Sequence, residues 1–188
     1  MNIIARLLQD VLLLKPPMRQ EAQGRHIRIA RSSLEALGID APFVQDNHSR
    51  SIRNVLRGLH YQIAQPQGKL VRVIAGEIFD VAVDLRLGSA TFGQAASMRL
   101  SADNGHIAWI PPGFAHGFQV LSERVDFLYS VTDYRYPEHE RILLWSDPAL
   151  GIDWPLGNQE PILSPKDQQG MSLAHTVAML RQFSAGNG

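Results

Sequence analysis

Between Gly68 and Thr132 the chain writes one short β pattern after another, and this recurrence limits the fold more than any other feature. Lys69-Leu70-Val71-Arg72-Val73-Ile74 runs into a turn at Ala75-Gly76-Glu77, and alternation resumes from Ile78 to Arg86. Phe79, Val81, Val83 and Leu85 fall on one face there, and Asp80, Ala82 and Asp84 on the other, because strand side chains repeat every two residues. Leu87-Gly88-Ser89 is another turn, and strands are expected near Ala95–Leu100 and at Ile107–Ile110, Gly117–Leu121 and Val125–Thr132. Short strands with turn signals about every ten residues, and few helical stretches between them, predict an all-β sandwich or barrel.

Helices belong to the periphery. Ser32-Ser33-Leu34-Glu35-Ala36-Leu37 begins with an N-cap serine and stops at Gly38. Ser172 to Phe183 spaces Leu173, Val177 and Leu180 at helical intervals and is expected to pack on the barrel. Tyr134–Pro165 reads as an ordered loop region, and Ser184-Ala185-Gly186-Asn187-Gly188 as a frayed end. The 188 residues suit a single domain, with an N-terminal arm over about 1–40 and a C-terminal helical segment over about 165–184. Met1–Lys15 faintly resembles a signal peptide, but Arg6, Gln9, Asp10 and Lys15 interrupt it. It reads instead as two short strands around a Gln9-Asp10 turn in a cytoplasmic protein.

Charge narrows the partners. Eighteen basic residues balance eighteen acidic ones, which removes the broad field expected of a nucleic-acid or anionic-membrane binder. A small anionic ligand needs only a few local cations. The absence of cysteine excludes disulfides, thiolate metal sites and cysteine nucleophiles.

Against this background two runs stand out: Val55-Leu56-Arg57-Gly58-Leu59-His60-Tyr61-Gln62, and Ile110-Pro111-Pro112-Gly113-Phe114-Ala115-His116-Gly117-Phe118. Each places a histidine beside glycines on an apolar, strand-like stretch. Glycine permits close backbone approach, and imidazole titrates near neutrality. Two such histidines facing one another would form a pocket that moves protons or holds a metal.

Gly105, five residues, then Pro111-Pro112-Gly113-Phe114-Ala115-His116 resembles the second motif of the cupin superfamily, G-x5-P-x-G-x2-H. Metal-dependent cupins carry H-x-H and a glutamate in the first motif. Here His60-Tyr61-Gln62 stands at the former and Lys69 at the latter. Two imidazoles, a carboxamide and an ammonium suit a divalent cation poorly. A metal-dependent cupin oxygenase or isomerase is thereby disfavoured, and no cofactor is expected.

Longer blocks resemble the dTDP-4-dehydrorhamnose 3,5-epimerase family: Gln45 to Ser51, Val55 to Gln62, Lys69 to Val73, Phe79 to Arg86, Ile110 to Phe118, Phe127 to Tyr129, Trp145 to Pro148 and Ser164 to Asp167. They run in family order from about residue 39 to 170. The resemblance implies a cupin-type double-stranded β-helix, or jelly-roll barrel, that epimerises a nucleotide-linked 4-keto-6-deoxyhexose as a homodimer. Protons at C3 and C5 are acidic because the C4 carbonyl accepts charge as an enolate. Such an enzyme needs a base, an opposed acid and a cation near O4.

By the same resemblance His60 is the base, oriented by Asp167, Tyr129 is the acid, and Lys69 stabilises the enolate oxygen. Arg57 and Lys166 match positions that hold the diphosphate or adjoining sugar. Gln45, Asp46, Asn47, His116 and Glu140 match further ligand positions. Asp84 competes with Asp167 as the partner of His60, since it shares a strand face with Asp80. His26, His48, His106, His139 and His175 are expected to have no chemical role, and Trp109, Trp145 and Trp154 to pack. A non-catalytic sugar- or nucleotide-binding cupin is the remaining rival, and His60, Lys69, Tyr129 and Asp167 together argue against it.

The chain departs from the family where that family holds the nucleoside. An arm like G-D-x-R-G-F-F-x-E, exchanged between subunits, reads here Gln20-Glu21-Ala22-Gln23-Gly24-Arg25-His26-Ile27-Arg28. The family arginine becomes Gln23, and its glutamate becomes Arg28. The aromatic that stacks on thymine falls on Arg135. Arginine can only donate hydrogen bonds, so Arg28 cannot read a base edge as a carboxylate does. Either dTDP meets a rebuilt base pocket, or CDP or GDP replaces it.

Overall fold

The alternating segment after Gly76 is buried on both faces, and the reason is its central place in a two-sheet barrel. The computed structural model describes residues 1–186. In chain order the strands are β1 (Asn2–Leu7), β2 (Val11–Lys15), β3 (Met18–Glu21), β4 (Gly24–Ile27), β5 (Gln45–Ile52), β6 (Leu56–Gln62) and β7 (Lys69–Ala75). They continue as β8 (Glu77–Asp84), β9 (Ala95–Ser101), β10 (Ile107–Ile110), β11 (Phe114–Val120), β12 (Arg124–Val131) and β13 (Glu140–Ile142). One sheet has the order β1-β2-β10-β7-β12-β5 and faces another ordered β13-β6-β11-β8-β9.

On β8, Ile78 and Ala82 join Val71, Val73, Phe118 and Phe127 in the core between the sheets. Val81, Val83 and Leu85 point the other way, beneath Trp154, Leu173 and Leu180. The face predicted to be apolar is therefore the covered outside of the barrel. The face carrying Asp80 and Asp84, both fully buried, is its interior. A third cluster, with Leu12, Leu14, Leu70, Ile107 and Trp109, lies under Leu34 of the first helix, α1 (Arg31–Glu35).

Several expectations need adjustment. Helix α1 starts at Arg31 with Ala30 at its N-cap and no side-chain cap, so Ser32 lies inside it rather than capping it. Its end is as expected: Gly38 takes a φ of 81°, and the Ile39 amide returns to the Leu34 carbonyl. The C-terminal helix, α2 (Leu173–Gly186), continues through Ser184 and Ala185, which were expected to fray; Asn187 and Gly188 lie outside the described residues. Asp147 anchors its start, accepting from the Leu173 amide at 2.6 Å. Strands β3 and β4 pair as a separate hairpin that the sequence pattern did not announce. The loop region after Tyr134 contains β13, which pairs with β6. All three tryptophans pack: Trp109 meets Phe43 edge-on, and Trp154 meets Trp145.

Candidate active site

Gly58 on β6 and Gly117 on β11 make the site possible. A Cβ on Gly58 would lie 2.6 Å from the Gly117 Cα, and one on Gly117 would lie 2.5 Å from the Arg57 carbonyl oxygen. Only paired glycines let these strands approach so closely. The approach puts His116 opposite His60, with the register shifting between His116 and Phe118.

His60 Nε2 lies 2.5 Å from Asp167 Oδ1. Asp167 is 2% exposed, and it also accepts from Ser164 Oγ at 2.6 Å and from the Gly58 amide at 3.3 Å. Burial alone would raise its carboxyl, but the bonds from His60, Ser164 and Gly58 outweigh that and hold it below the usual range. Burial lowers His60, and the charges of Lys69 and Lys166 lower it further against the pull of Asp167. The imidazole is thus neutral near pH 7, with Nε2 committed to Asp167 and Nδ1 left to take a proton.

Asp84, the rival partner, is engaged elsewhere. Its carboxylate accepts from Arg86 Nε and from the Ser89 and Thr91 hydroxyls, at 2.9, 2.6 and 2.7 Å. These bonds overcome the burial penalty and depress its pKa strongly.

His60, Lys69 and Tyr129 line a cavity of about 260 Å³ together with Arg57, His116, Arg135, Glu140, Lys166 and Asp167. His60 comes from one sheet and Tyr129 from the other, so imidazole and phenol reach the cavity from opposed walls. Burial raises the Tyr129 phenol, and Glu140 adds to this while Arg57 and Arg135 oppose it; the group holds its proton at neutral pH. Lys69 Nζ donates to the His60 carbonyl at 3.3 Å. Desolvation lowers Lys69 to about 8, with Asp80 and Glu140 opposing. Gln62 donates to the Gln65 carbonyl and accepts from the Tyr136 amide, fastening the loop that carries Arg135.

The remaining candidates divide. Glu140 accepts from Arg135 at 2.6 Å and from Lys166 at 3.2 Å, tying both cations to the mouth. Gln45 and Asn47 line an adjoining space of about 110 Å³, which also contains His60, Lys69 and Arg135. Asp46 points to the opposite face of β5, where it accepts from Ser130, and so lies outside this cavity. Gln23 and Arg28 are exposed on and beside the β3–β4 hairpin, away from the cavity of their own chain. None of His26, His48, His106, His139 and His175 lines it either. Two contributors escaped the sequence reading: Asp80, which binds His116 at 2.8 Å, and Ser164. The three-residue spacing of Ser164 and Asp167, typical of a side-chain-closed turn, was the available signal for the latter.

A jelly-roll barrel of the cupin type, with a carboxylate-bound imidazole facing a phenol across a polar cavity, defines an isomerase of the epimerase kind. The family model described as dTDP-4-dehydrorhamnose 3,5-epimerase matches residues 6–175. The Pseudomonas aeruginosa dTDP-4-dehydrorhamnose 3,5-epimerase is 57% identical over 169 residues, covering 89% of this chain and 93% of its own. A Legionella pneumophila dTDP-6-deoxy-D-glucose-3,5-epimerase, solved in complex with dTDP-4-keto-L-rhamnose, superposes with a TM-score of 0.89 at 50% identity, covering 95% and 96% of the two chains. A dTDP-4-dehydrorhamnose 3-epimerase from Streptomyces niveus is 38% identical over 141 residues, or 74% of this chain and 67% of its own. The chain belongs to the dTDP-4-dehydrorhamnose 3,5-epimerase family.

Proposed function

We propose that this enzyme inverts C3 and C5 of a 4-keto-6-deoxyhexose carried on a nucleoside diphosphate, converting dTDP-4-dehydro-6-deoxyglucose to dTDP-4-dehydrorhamnose. The observation that carries this reading is the placement of His60 and Tyr129 on opposed walls of one cavity, with Lys69 beside them. His60 Nδ1 removes the proton next to the ketone, the C–H electron pair moves into the C4–oxygen enolate, and the Lys69 ammonium stabilises that oxygen. The enolate then collapses, and carbon takes a proton from the Tyr129 hydroxyl on the other face. Repetition at the second carbon completes the inversion, and exchange with solvent resets both groups. Lys69 supplies the positive charge, so the steps need no cofactor.

Arg57, Lys166 and Arg135 offer cations to the diphosphate, and Gln45, Asn47, His116 and Glu140 offer polar contacts around the cavity. Action at both carbons is favoured by the closer likeness to a 3,5-epimerase than to a 3-epimerase. We further read the chain as one domain of a cytoplasmic homodimer that exchanges its arms. The hairpin strands are exposed on both faces, as an element awaiting a partner would be. Among the described residues no helix is long and apolar enough to cross a membrane.

The test is incubation in deuterium oxide with the dTDP-, CDP- and GDP-linked 4-keto-6-deoxyhexoses, following mass gain at each carbon. Deuterium at C3 and C5 of the dTDP sugar is the expected result. No wash-in with any of the three sinks the proposal, and preference for CDP or GDP reassigns the nucleotide.

A further inference from the structure

Behind the cavity wall lies a charged group that the reaction scheme does not yet use. Asp80 on β8 is fully buried, and its Oδ2 lies 2.8 Å from Nε2 of His116, itself 6% exposed. The other oxygen, Oδ1, is buried without a hydrogen-bond partner. An incompletely bonded carboxylate is unfavourable in a barrel core, and an apolar side chain would stabilise the fold better. Strand β11 runs between β8 and β6, so Asp80, His116 and His60 step across one sheet toward the cavity.

We propose that Asp80 is a positioning residue of the epimerisation site. It fixes His116 with Nε2 toward the wall and Nδ1 left for the sugar, and it supplies the buried negative charge that keeps Lys69 an ammonium ion. This inference rests on the functional reading above, in which Lys69 must be charged to hold the enolate oxygen.

The groups around Lys69 come from every side of the barrel. Asp80 on β8 and Glu140 on β13 favour its charged form, and Lys166 opposes it. His60 offers its backbone carbonyl, while Arg57, His116, Tyr129 and Arg135 share the cavity. Desolvation is the strongest influence on this lysine and works against its charge, with Asp80 first among the counterweights. Glu140 is a weaker substitute because its carboxylate is already divided between Arg135 and Lys166. A low-dielectric interior strengthens the field of Asp80 across the barrel.

The test is Asp80→Asn, which keeps an acceptor for His116 Nε2–H and removes the charge. The alkaline limb of kcat/KM should move down by about one pH unit, with kcat falling about twofold near pH 7 and approaching tenfold above about pH 9, and KM changing little. Placing Asp80→Asn in a Lys69→Arg background should abolish the limb shift, because arginine does not titrate in this range. Asp80→Ser, smaller and also uncharged, should reproduce the shift if the asparagine variant folds poorly. An unmoved limb in a folded variant, or failure of both variants to fold, overturns the proposal and makes Asp80 a structural group. Absent deuterium wash-in by the unsubstituted enzyme would instead sink the functional reading, so the two failures are separable.

Discussion

Asp167 and Gln23 mark two extremes of the molecule. Asp167 is buried and bonded to His60 and the Gly58 amide on β6 and to Ser164 in its own turn, so its position is fixed from two sides within one chain. Gln23 sits exposed at the turn between β3 and β4, in a hairpin that touches the body mainly where Arg25 donates to the Asp103 carbonyl and Ile27 nears Gly105. Residues assigned to the sugar lie at the first extreme; of those assigned to the nucleoside, Gln23 and Arg28 lie at the second and Arg135 at the mouth of the cavity. Proton transfer demands placement to a fraction of an ångström, and a barrel wall can supply it unaided. Base recognition is assigned to groups that the chain leaves exposed at its surface.

The largest effects are expected where placement is tightest. His60→Ala should abolish deuterium exchange at both C3 and C5, a loss of about 10³–10⁴ in kcat. Asp167→Asn removes the charge and the forced tautomer, and a loss of roughly 10² or more is expected with KM little changed. Full exchange in the His60 variant would remove the base assignment, and with it the contrast between fixed chemistry and loose recognition.

That contrast also explains what the sequence revealed. β7 and β8 were legible because a buried strand must alternate or run apolar, and β1–β2 because Gln9-Asp10 breaks an apolar run. The β3–β4 hairpin was not, since Met18–Glu21 and Gly24–Ile27 are exposed and carry no burial pattern to read. His60, Lys69, Tyr129 and Asp167 were found through the blocks around them rather than by periodicity, which would have placed Tyr129 in the core. Alternation did set Asp80 and Asp84 on the inner face. It could not show that Arg86, Ser89 and Thr91 claim Asp84, because that depends on a turn folding back.

A middle-sized effect concerns Lys69, whose activity and stability should respond to pH in opposite directions. With its pKa lowered to about 8, the ammonium that supports catalysis is lost as pH rises through that value, and kcat/KM should fall. Between about 8 and the ordinary 10.5 the unfolded chain binds more protons at this site than the folded one. The contribution of Lys69 to stability therefore rises across that window, by on the order of 3 kcal/mol at most. Urea midpoints of the native enzyme and Lys69→Met across this range would check the sign. Identical pH dependence in both would show that desolvation of Lys69 is not the cause.

The smallest effect tests the loose side of the comparison. Arg135 is 57% exposed and bonded to Glu140 at 2.6 Å, an ion pair of the kind worth at most about 1 kcal/mol. Arg135→Ala should leave kcat near its original value and raise KM for the nucleotide sugar several-fold, with the salt dependence of KM becoming shallower as one cation is removed. Arg135→Tyr replaces that charge with an aromatic face and should discriminate more strongly among nucleosides. A large fall in kcat for Arg135→Ala would mean that Glu140, released from this arginine, disturbs Lys69 inside the barrel. The mouth and the interior would then be electrostatically continuous, and the division between rigid chemistry and adaptable recognition would have to be redrawn at Glu140.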